Sequence, residues 1–326
     1  MATGLRAVTV ALLVTACATP QTDGLRANRG TLPESAEVAD VAFFEQRTRE
    51  SAPVALAMSL QWSGVELGPN DLVANVDAPG REGSVNAGLE ATARRHGRLA
   101  YPLKDLRALF VEVSAGRPVI VLLNLGLPWY PQRHYAVLIG YDTMRGTITL
   151  HSGATPRRMM PMETFERTWA RGGFWALLIL PPGDLPAIPD LDSYLDAVSA
   201  LEQAGEFEAA RRAYAAAVDG WPRSLEARMG LGNTLYALGR LEEANAVFRQ
   251  ATREHPRAAD AYNGLAQALL GLGRLRRAEI AARRAVALDG RHQGIYRQTL
   301  DLILSLQRSG SSATGSATGN ASQEIW

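Results

Sequence analysis

Reactive sulfur is almost missing from this 326-residue chain, which carries one cysteine, Cys17. With no second thiol, no disulfide can staple a domain, and beyond position 17 there is no thiolate for catalysis or metal binding. A dominant charge is lacking too: 34 Lys and Arg against 33 Asp and Glu leave a net charge of +1. That balance creates no long-range field to recruit nucleic acid or acidic substrates, so no nucleic-acid partner is expected and local sites choose the partners. The five histidines, His96, His134, His151, His255 and His292, show no ligand spacing such as His-Glu-x-x-His. Neither a metal nor another cofactor is therefore expected. What remains is an ordinary globular composition, 47% hydrophobic and 21% charged, with room for about two domains.

The first residues are set aside as a targeting segment. "MATGLRAVTVALLVTAC" has one positive charge at Arg6, an apolar run from Ala7 to Ala16 and small residues before Cys17. The run falls short of the roughly 20 residues a membrane span needs, so it reads as a secretory signal. Its ending, "VTAC", resembles a bacterial lipobox. That resemblance implies cleavage before Cys17 and acylation of Cys17, and several acyl chains together anchor durably. Position 18 is Ala, not the Asp that retains many lipoproteins at the inner membrane, which implies an outer-membrane lipoprotein facing the periplasm. A secreted protein with a free thiol is the alternative.

Beyond residues 1–17, the segment 18–39, "ATPQTDGLRANRGTLPESAEVA", is polar and interrupted by Gly and Pro, and reads as a flexible tether. "PPGDLPAIPD", 181–190, has four prolines in ten residues. It predicts a stiff linker, 184–190, at a domain boundary. The Gly/Ser/Thr-rich tail 308–326 is expected to be disordered.

Between linker and tail a 34-residue period governs the sequence, set by Pro222 and Pro256. It divides 191–292 into units 191–224, 225–258 and 259–292. Ala210, Ala244 and Ala278 share a phase, as do Ala217, Ala251 and Ala285, and Gly205, Gly239 and Gly273; Tyr214 and Phe248 share another, where the third unit has Ala282. Small residues are needed where helices cross closely, and Gly where the chain reverses. The pattern resembles the tetratricopeptide repeat, which implies an all-α solenoid of three repeats with a capping helix at 293–307. It also implies a concave groove for a peptide or protein partner, lined by phase with Leu195, Ser199, Met229, Asn233, Tyr236, Asn263 and Gln267. The arginines at 274, 276, 277, 283 and 284 read as a solvated outer face.

Residues 40–183 predict helices first and a sheet afterwards. "APVALAMSLQWSG" stops at Gly64, "NAGLEATARRHG" at Gly97 and "LKDLRALFVEVSAG" at Gly116. Strands are expected at 118–125, 134–141, 147–152 and 174–180. This is an α+β domain.

The order of Gln46, Ser51-Ala52-Pro53 at a helix start, and "HYAVLIGYD" opening with His134 carries a resemblance to papain-like peptidases. The relevant branch cleaves double-glycine leaders, and a group of bacterial lipoproteins joins such a domain to tetratricopeptide repeats. That family places a Gln five residues before a Cys-Gly-Pro, then His-Tyr or His-Phe opening a strand, then an Asp on the next strand. The resemblance implies that Gln46 is the oxyanion-hole donor, Ser51 stands at the nucleophile position in place of Cys, and His134 is the base. Trp129 and Tyr130, just before His134, are candidate walls of a peptide cleft.

The departures bear on mechanism. A serine hydroxyl is far less acidic than a thiol and needs a well-oriented base, and losing the orienting acid costs a serine protease about 10⁴ in turnover. Asp142 ends the strand that His134 opens, roughly 26 Å away at about 3.3 Å per residue. If 142–146 form the hairpin turn, the return strand brings Ser152 to the face of His134, and a one-residue slip would bring His151 instead. The leading expectation is a degenerate peptidase domain that binds peptides or proteins without cleaving them. The alternatives are a serine hydrolase using Ser51, His134 and Gln46, and a scaffold acting only through its repeats. Ser51 also suits the start of a helix as a capping residue.

Overall fold

The computed structural model describes residues 18–46, 50–76, 85–127, 129–288 and 290–318, so the leader and Cys17 lie outside the described residues. The chain divides into two compact units, 1–206 and 207–326. No helix among the described residues is long and apolar enough to cross a membrane.

In chain order the first unit contains α1 (Pro20–Ala27), β1 (Ser35–Glu37), α2 (Ser51–Trp62), α3 (Pro69–Val76), α4 (Val85–Arg95), β2 (Leu99–Leu103) and α5 (Leu106–Ser114). These are followed by β3 (Val119–Asn124), β4 (Arg133–Asp142), β5 (Thr147–Ser152), β6 (Thr155–Pro161), α6 (Met162–Arg171), β7 (Ala176–Leu180) and α7 (Leu191–Gln203). The strands form one antiparallel sheet in the order β2-β7-β3-β4-β5-β6, with β1 paired to the far end of β4. β3 and β7 are buried at every position, as strands covered on both faces must be. β6 begins with Thr-Pro-Arg-Arg and is largely exposed, the composition expected of a free edge.

Helix α2 holds this unit together. Every residue from Ser51 to Leu60 is buried, which is how a helix that is apolar all round must sit. It packs with Leu89 of α4 and with Ile120, Val137 and Leu177 of the sheet. Its start is thereby fixed against β4.

The segment 18–39 is not a free tether. Thr19, Thr22, Leu25, Leu32 and Val38 are buried, and β1 extends the sheet. The cause is Glu166 on α6, which is 1% exposed and accepts the amide N–H groups of Gln21 at 2.9 Å and Thr22 at 2.7 Å. A carboxylate at a helix N-terminus meets unpaired N–H groups and the positive end of the dipole together. The linker is tied down as well: Arg117 donates to the Leu185 carbonyl at 2.7 Å, and the Ala187 amide donates to Glu112 at 2.7 Å. α7, assigned by period to the first repeat, clusters with the first unit, and the compact boundary falls at 206/207. Tyr194 explains it: the ring is fully buried and its hydroxyl donates to the Asp184 carbonyl at 3.1 Å.

The second unit is helical: α8 (Phe207–Gly220), α9 (Leu225–Ala237), α10 (Leu241–Glu254), α11 (Ala259–Gly271), α12 (Leu275–Ala287) and α13 (Gln293–Thr318). Gly239 and Gly273 turn the chain between paired helices with φ of 72° and 71°, and a Cβ at either would meet nothing, so the demand is on backbone angle, not space. Ala210, Ala244, Ala278, Ala217, Ala251 and Ala285 are all fully buried, as their shared phases predict. Phe248 is wedged between Gly232 and Gly264, where an added Cβ would lie 2.5 and 2.6 Å from its ring. α13 continues through Thr318, past the predicted end at 307, so residues 308–318 are helical and not disordered. Extending a nucleated helix fixes one residue per hydrogen bond, and no proline intervenes.

Two outcomes test these accounts. Glu166→Ala, which removes two charge-assisted hydrogen bonds of about 1.5–3 kcal/mol each, is expected to release residues 18–38. Limited trypsinolysis should then cut rapidly after Arg26 and Arg29, with a loss of about 3 kcal/mol in urea unfolding. Gly264→Ala should cost about 1–3 kcal/mol by overpacking Phe248, and adding Phe248→Leu should recover part of that loss in the same urea titration.

Candidate functional site

Ser51 is the first residue of α2 and is 5% exposed. It does not cap: the cap position belongs to Glu50, which makes no side-chain cap bond. Instead the Ser51 Oγ accepts the amide N–H of Tyr135 on β4 at 3.2 Å. Among the described residues no hydrogen bond joins that oxygen to the His134 ring.

Gln46 reaches the same place with every polar atom committed. Its Nε2 donates to the Tyr135 carbonyl at 3.1 Å and, weakly, to the Ser51 carbonyl at 3.5 Å, while its Oε1 accepts the Gly153 amide at 2.8 Å. The partners fix which end is oxygen. Its own amide donates to the Gly153 carbonyl at 3.0 Å. Gln46 thus joins the start of α2, the start of β4 and the end of β5, and has no spare N–H to offer a developing oxyanion.

His134 lies beside Ser152, Nε2 to Oγ 2.9 Å. The hairpin turn occupies 143–146, as Asp142 pairs with Thr147, and a bulge between Leu138 and Gly140 adjusts the register so that Ser152 and not His151 meets the ring. His151 faces elsewhere: its Nδ1 accepts the Arg157 amide at 3.2 Å and its Nε2 donates to the Val41 carbonyl at 3.2 Å, which fixes its tautomer. Asp142 stays in the turn, its Oδ1 accepting the Arg145 amide at 2.8 Å.

Trp129 and Tyr130 are 79% and 69% exposed on the loop between β3 and β4. The loop is cinched by Asn124, a residue the sequence reading passed over, whose Oδ1 accepts the Gly126 and Gln132 amides at 3.0 and 2.9 Å. Tyr135 was missed as well. Its hydroxyl donates to Asn86 at 2.6 Å while its backbone holds both Ser51 and Gln46. The short-range signal is "HY", a β-strand start that gives no hint of which backbone groups will be shared.

In the second unit a groove of about 490 Å³ brings together Met229, Asn233, Asn263 and Gln267, four of the residues predicted by phase, with Glu226 and Asp260 beside them. Asn263 is 7% exposed and its Oδ1 is buried without a partner among the described residues. Tyr236 is exposed but outside this lining, and Leu195 and Ser199 lie on α7 in the first unit. Among the described residues no group of three or more His, Cys, Asp and Glu is arranged to hold a metal.

Residues 38–176 match the model of the peptidase C39 like family, and 195–251 and 231–292 match that of the tetratricopeptide repeat. No curated protein matches the chain. Among solved structures, a C39-like peptidase from Bacillus anthracis is 21% identical, covering 45% of this chain and 98% of that one with a TM-score of 0.40. The type III secretion chaperone SycD of Yersinia enterocolitica, in complex with a peptide of the translocator YopD, is 19% identical, covering 36% and 94% with a TM-score of 0.34. MamA from Desulfovibrio magneticus is 22% identical, covering 40% and 72% with a TM-score of 0.34. The chain has a C39-like peptidase domain with an antiparallel sheet, followed by helices that match tetratricopeptide repeats.

Burial holds the His134 pKa below its usual 6.5, with Arg158 pushing the same way. Burial does likewise at His151, opposed by its bond to Val41. Below about pH 6.5 the unfolded chain therefore takes up protons that the folded state refuses, so stability falls with pH until the depressed folded values are passed. His134→Gln should flatten this slope by up to about 1.4 kcal/mol per pH unit between pH 6.5 and the folded pKa, measured as urea-unfolding free energy from pH 8 to 5.

Proposed function

We propose that this chain is a lipoprotein of the outer membrane, facing the periplasm, whose peptidase-like domain grips peptide or protein without cutting it while its repeats bind a protein partner. The observation that carries the reading is the commitment of the catalytic positions to backbone. Gln46 gives its amide N–H groups to carbonyls, and the Ser51 oxygen accepts the Tyr135 N–H and, among the described residues, has no bond to the His134 ring. His134 has a neutral hydroxyl at the place of an orienting acid.

Electrostatics supports the same conclusion. Serine catalysis passes a proton to the imidazole, and a buried carboxylate normally stabilises the cation that forms. Here burial opposes that cation and the charge felt at the ring is another cation, Arg158. Both effects act against proton transfer, and among the described residues no carboxylate is bonded to the His134 ring to offset them.

In the second unit, neutral amides at Asn233, Asn263 and Gln267 supply both donors and acceptors along one groove. That is what an extended peptide backbone requires. The pattern favours a peptide or protein ligand there, and acylation of Cys17 would supply the membrane attachment.

A fluorophosphonate probe incubated with the purified protein is expected to leave no adduct on Ser51, and amide-substrate assays should show no burst that Ser51→Ala removes. A stoichiometric Ser51 adduct, or turnover abolished by Ser51→Ala, would overturn the reading in favour of the serine hydrolase.

A further inference from the structure

The late arginines are solvent-accessible, as expected, and several of them border an opening between helices. In the second unit a cavity of about 500 Å³ opens between α10 and α12, over α11. Its floor is apolar: Leu265 and Leu269 of α11 and Ala281 of α12, with the Tyr262 ring at one side. Around it stand Arg249, Arg274, Arg277 and Arg284. Arg274 is neutralised by Glu242 at 2.6 Å. Among the described residues, Arg249, Arg277 and Arg284 have no carboxylate partner; the Arg284 guanidinium lies 5.8 Å from the centre of the Tyr262 ring.

Two further features mark the cavity as more than a gap between repeats. Asn245 on α10 lines it while only 9% exposed, and among the described residues its side-chain amide makes no hydrogen bond. The amide is not sealed from solvent, so it stands ready with both a donor and an acceptor for a ligand that enters the cavity. At the rim, Ile280 is 70% exposed, an apolar side chain held out between two arginines of the same helix face.

The balance of donors and acceptors identifies the class of ligand. Three free guanidinium groups and an amide present many N–H donors, against acceptors only at Asn245 and the Tyr262 hydroxyl. A peptide strand brings backbone N–H groups that would find little to accept them. An acyl chain with an anionic head brings acceptors at one end and needs nothing at the other. The volume lies within the usual range for a small-molecule pocket, about 300–1,000 Å³.

We propose that the cavity between α10 and α12 binds a single-chain anionic amphiphile, its acid held by Arg277, Arg284 and Asn245 and its chain laid over Leu265, Leu269 and Ile280. The site is separate from the groove on the other face of these repeats and does not depend on the function proposed above.

The test uses the chain from Ala18 onward and the fluorescent fatty acid cis-parinarate. One saturable site is expected, displaced by dodecanoate but not by dodecanol or inorganic phosphate. Arg277→Glu with Arg284→Glu should weaken binding at least tenfold. Ile280→Asp, a change at an exposed position that leaves both arginines in place, should do so at least threefold. Circular dichroism should be unchanged in each. Binding unaffected by both variants, or displacement by dodecanol as strong as by dodecanoate, would overturn the assignment. Displacement by an acidic octapeptide in preference to dodecanoate would also overturn it, and would transfer the site to a peptide.

Discussion

The peptidase-like unit depends on one buried side chain, Gln46, and on the fact that its amide is satisfied at both ends. A primary amide has two donors and an acceptor, and burying it costs more than it returns unless each finds a partner. Here the partners are three separate pieces of backbone, at Ser51, Tyr135 and Gly153. Because each piece belongs to a different element, the single side chain sets where α2 begins relative to β4 and where β5 ends. Bracing engages both N–H groups of the amide, one with the Tyr135 carbonyl and one, more weakly, with the Ser51 carbonyl.

The reach of each signal along the chain decides what could be read from the residues and what could not. Apolar spacing located α2, α4 and α5, and the glycines at 64, 97 and 116 closed them, because both signals are local. The 34-residue phases placed the repeat helices for the same reason: a small residue at a crossing is visible without knowing its neighbour. Ser152 meets His134 only because two departures from simple counting cancel: the turn lies one residue later than expected and the bulge between Leu138 and Gly140 shifts the register back. What stayed hidden was long-range and polar. Nothing in "PQTDGLRA" announces that Glu166, 144 residues away from Thr22, will cap it. The polar composition of 18–39 looked like linker because its few apolar residues, Leu25, Leu32 and Val38, are spaced too widely to form a period. The same applies to Ser51, read as a cap because serine often is one; its actual partner, the Tyr135 N–H, is 84 residues on.

The two apolar-lined clefts of the repeat unit differ in a way that composition alone conceals. Both include polar side chains, but in the groove with Asn233, Asn263 and Gln267 these are neutral amides, each able to give and to accept, with carboxylates nearby. Across the helices, the cavity over α11 is nearly all donor. A ligand is selected by which of its groups would be left unpaired, since an unmatched buried donor or acceptor costs more than a matched one contributes. By that criterion the two faces of one solenoid exclude each other's ligands, and a net charge near zero for the whole chain says nothing about either.

The docking of residues 18–38 changes what an acyl anchor would do. A free segment of 22 residues would let a domain wander roughly 26 Å from its lipid, at about 5–6 Å times the square root of length. Thr19, however, is 5% exposed and α1 begins at Pro20. Only Ala18 separates Thr19 from Cys17, and two residue steps reach about 7 Å at most. With Cys17 acylated, the bilayer would therefore meet the surface formed by α1 and α6, and the peptidase-like unit would be held in one orientation against the membrane. Glu166 is what makes the difference between those two geometries, since its carboxylate holds the first turn of α1 in place. The anchor and the fold are in that case a single mechanical piece.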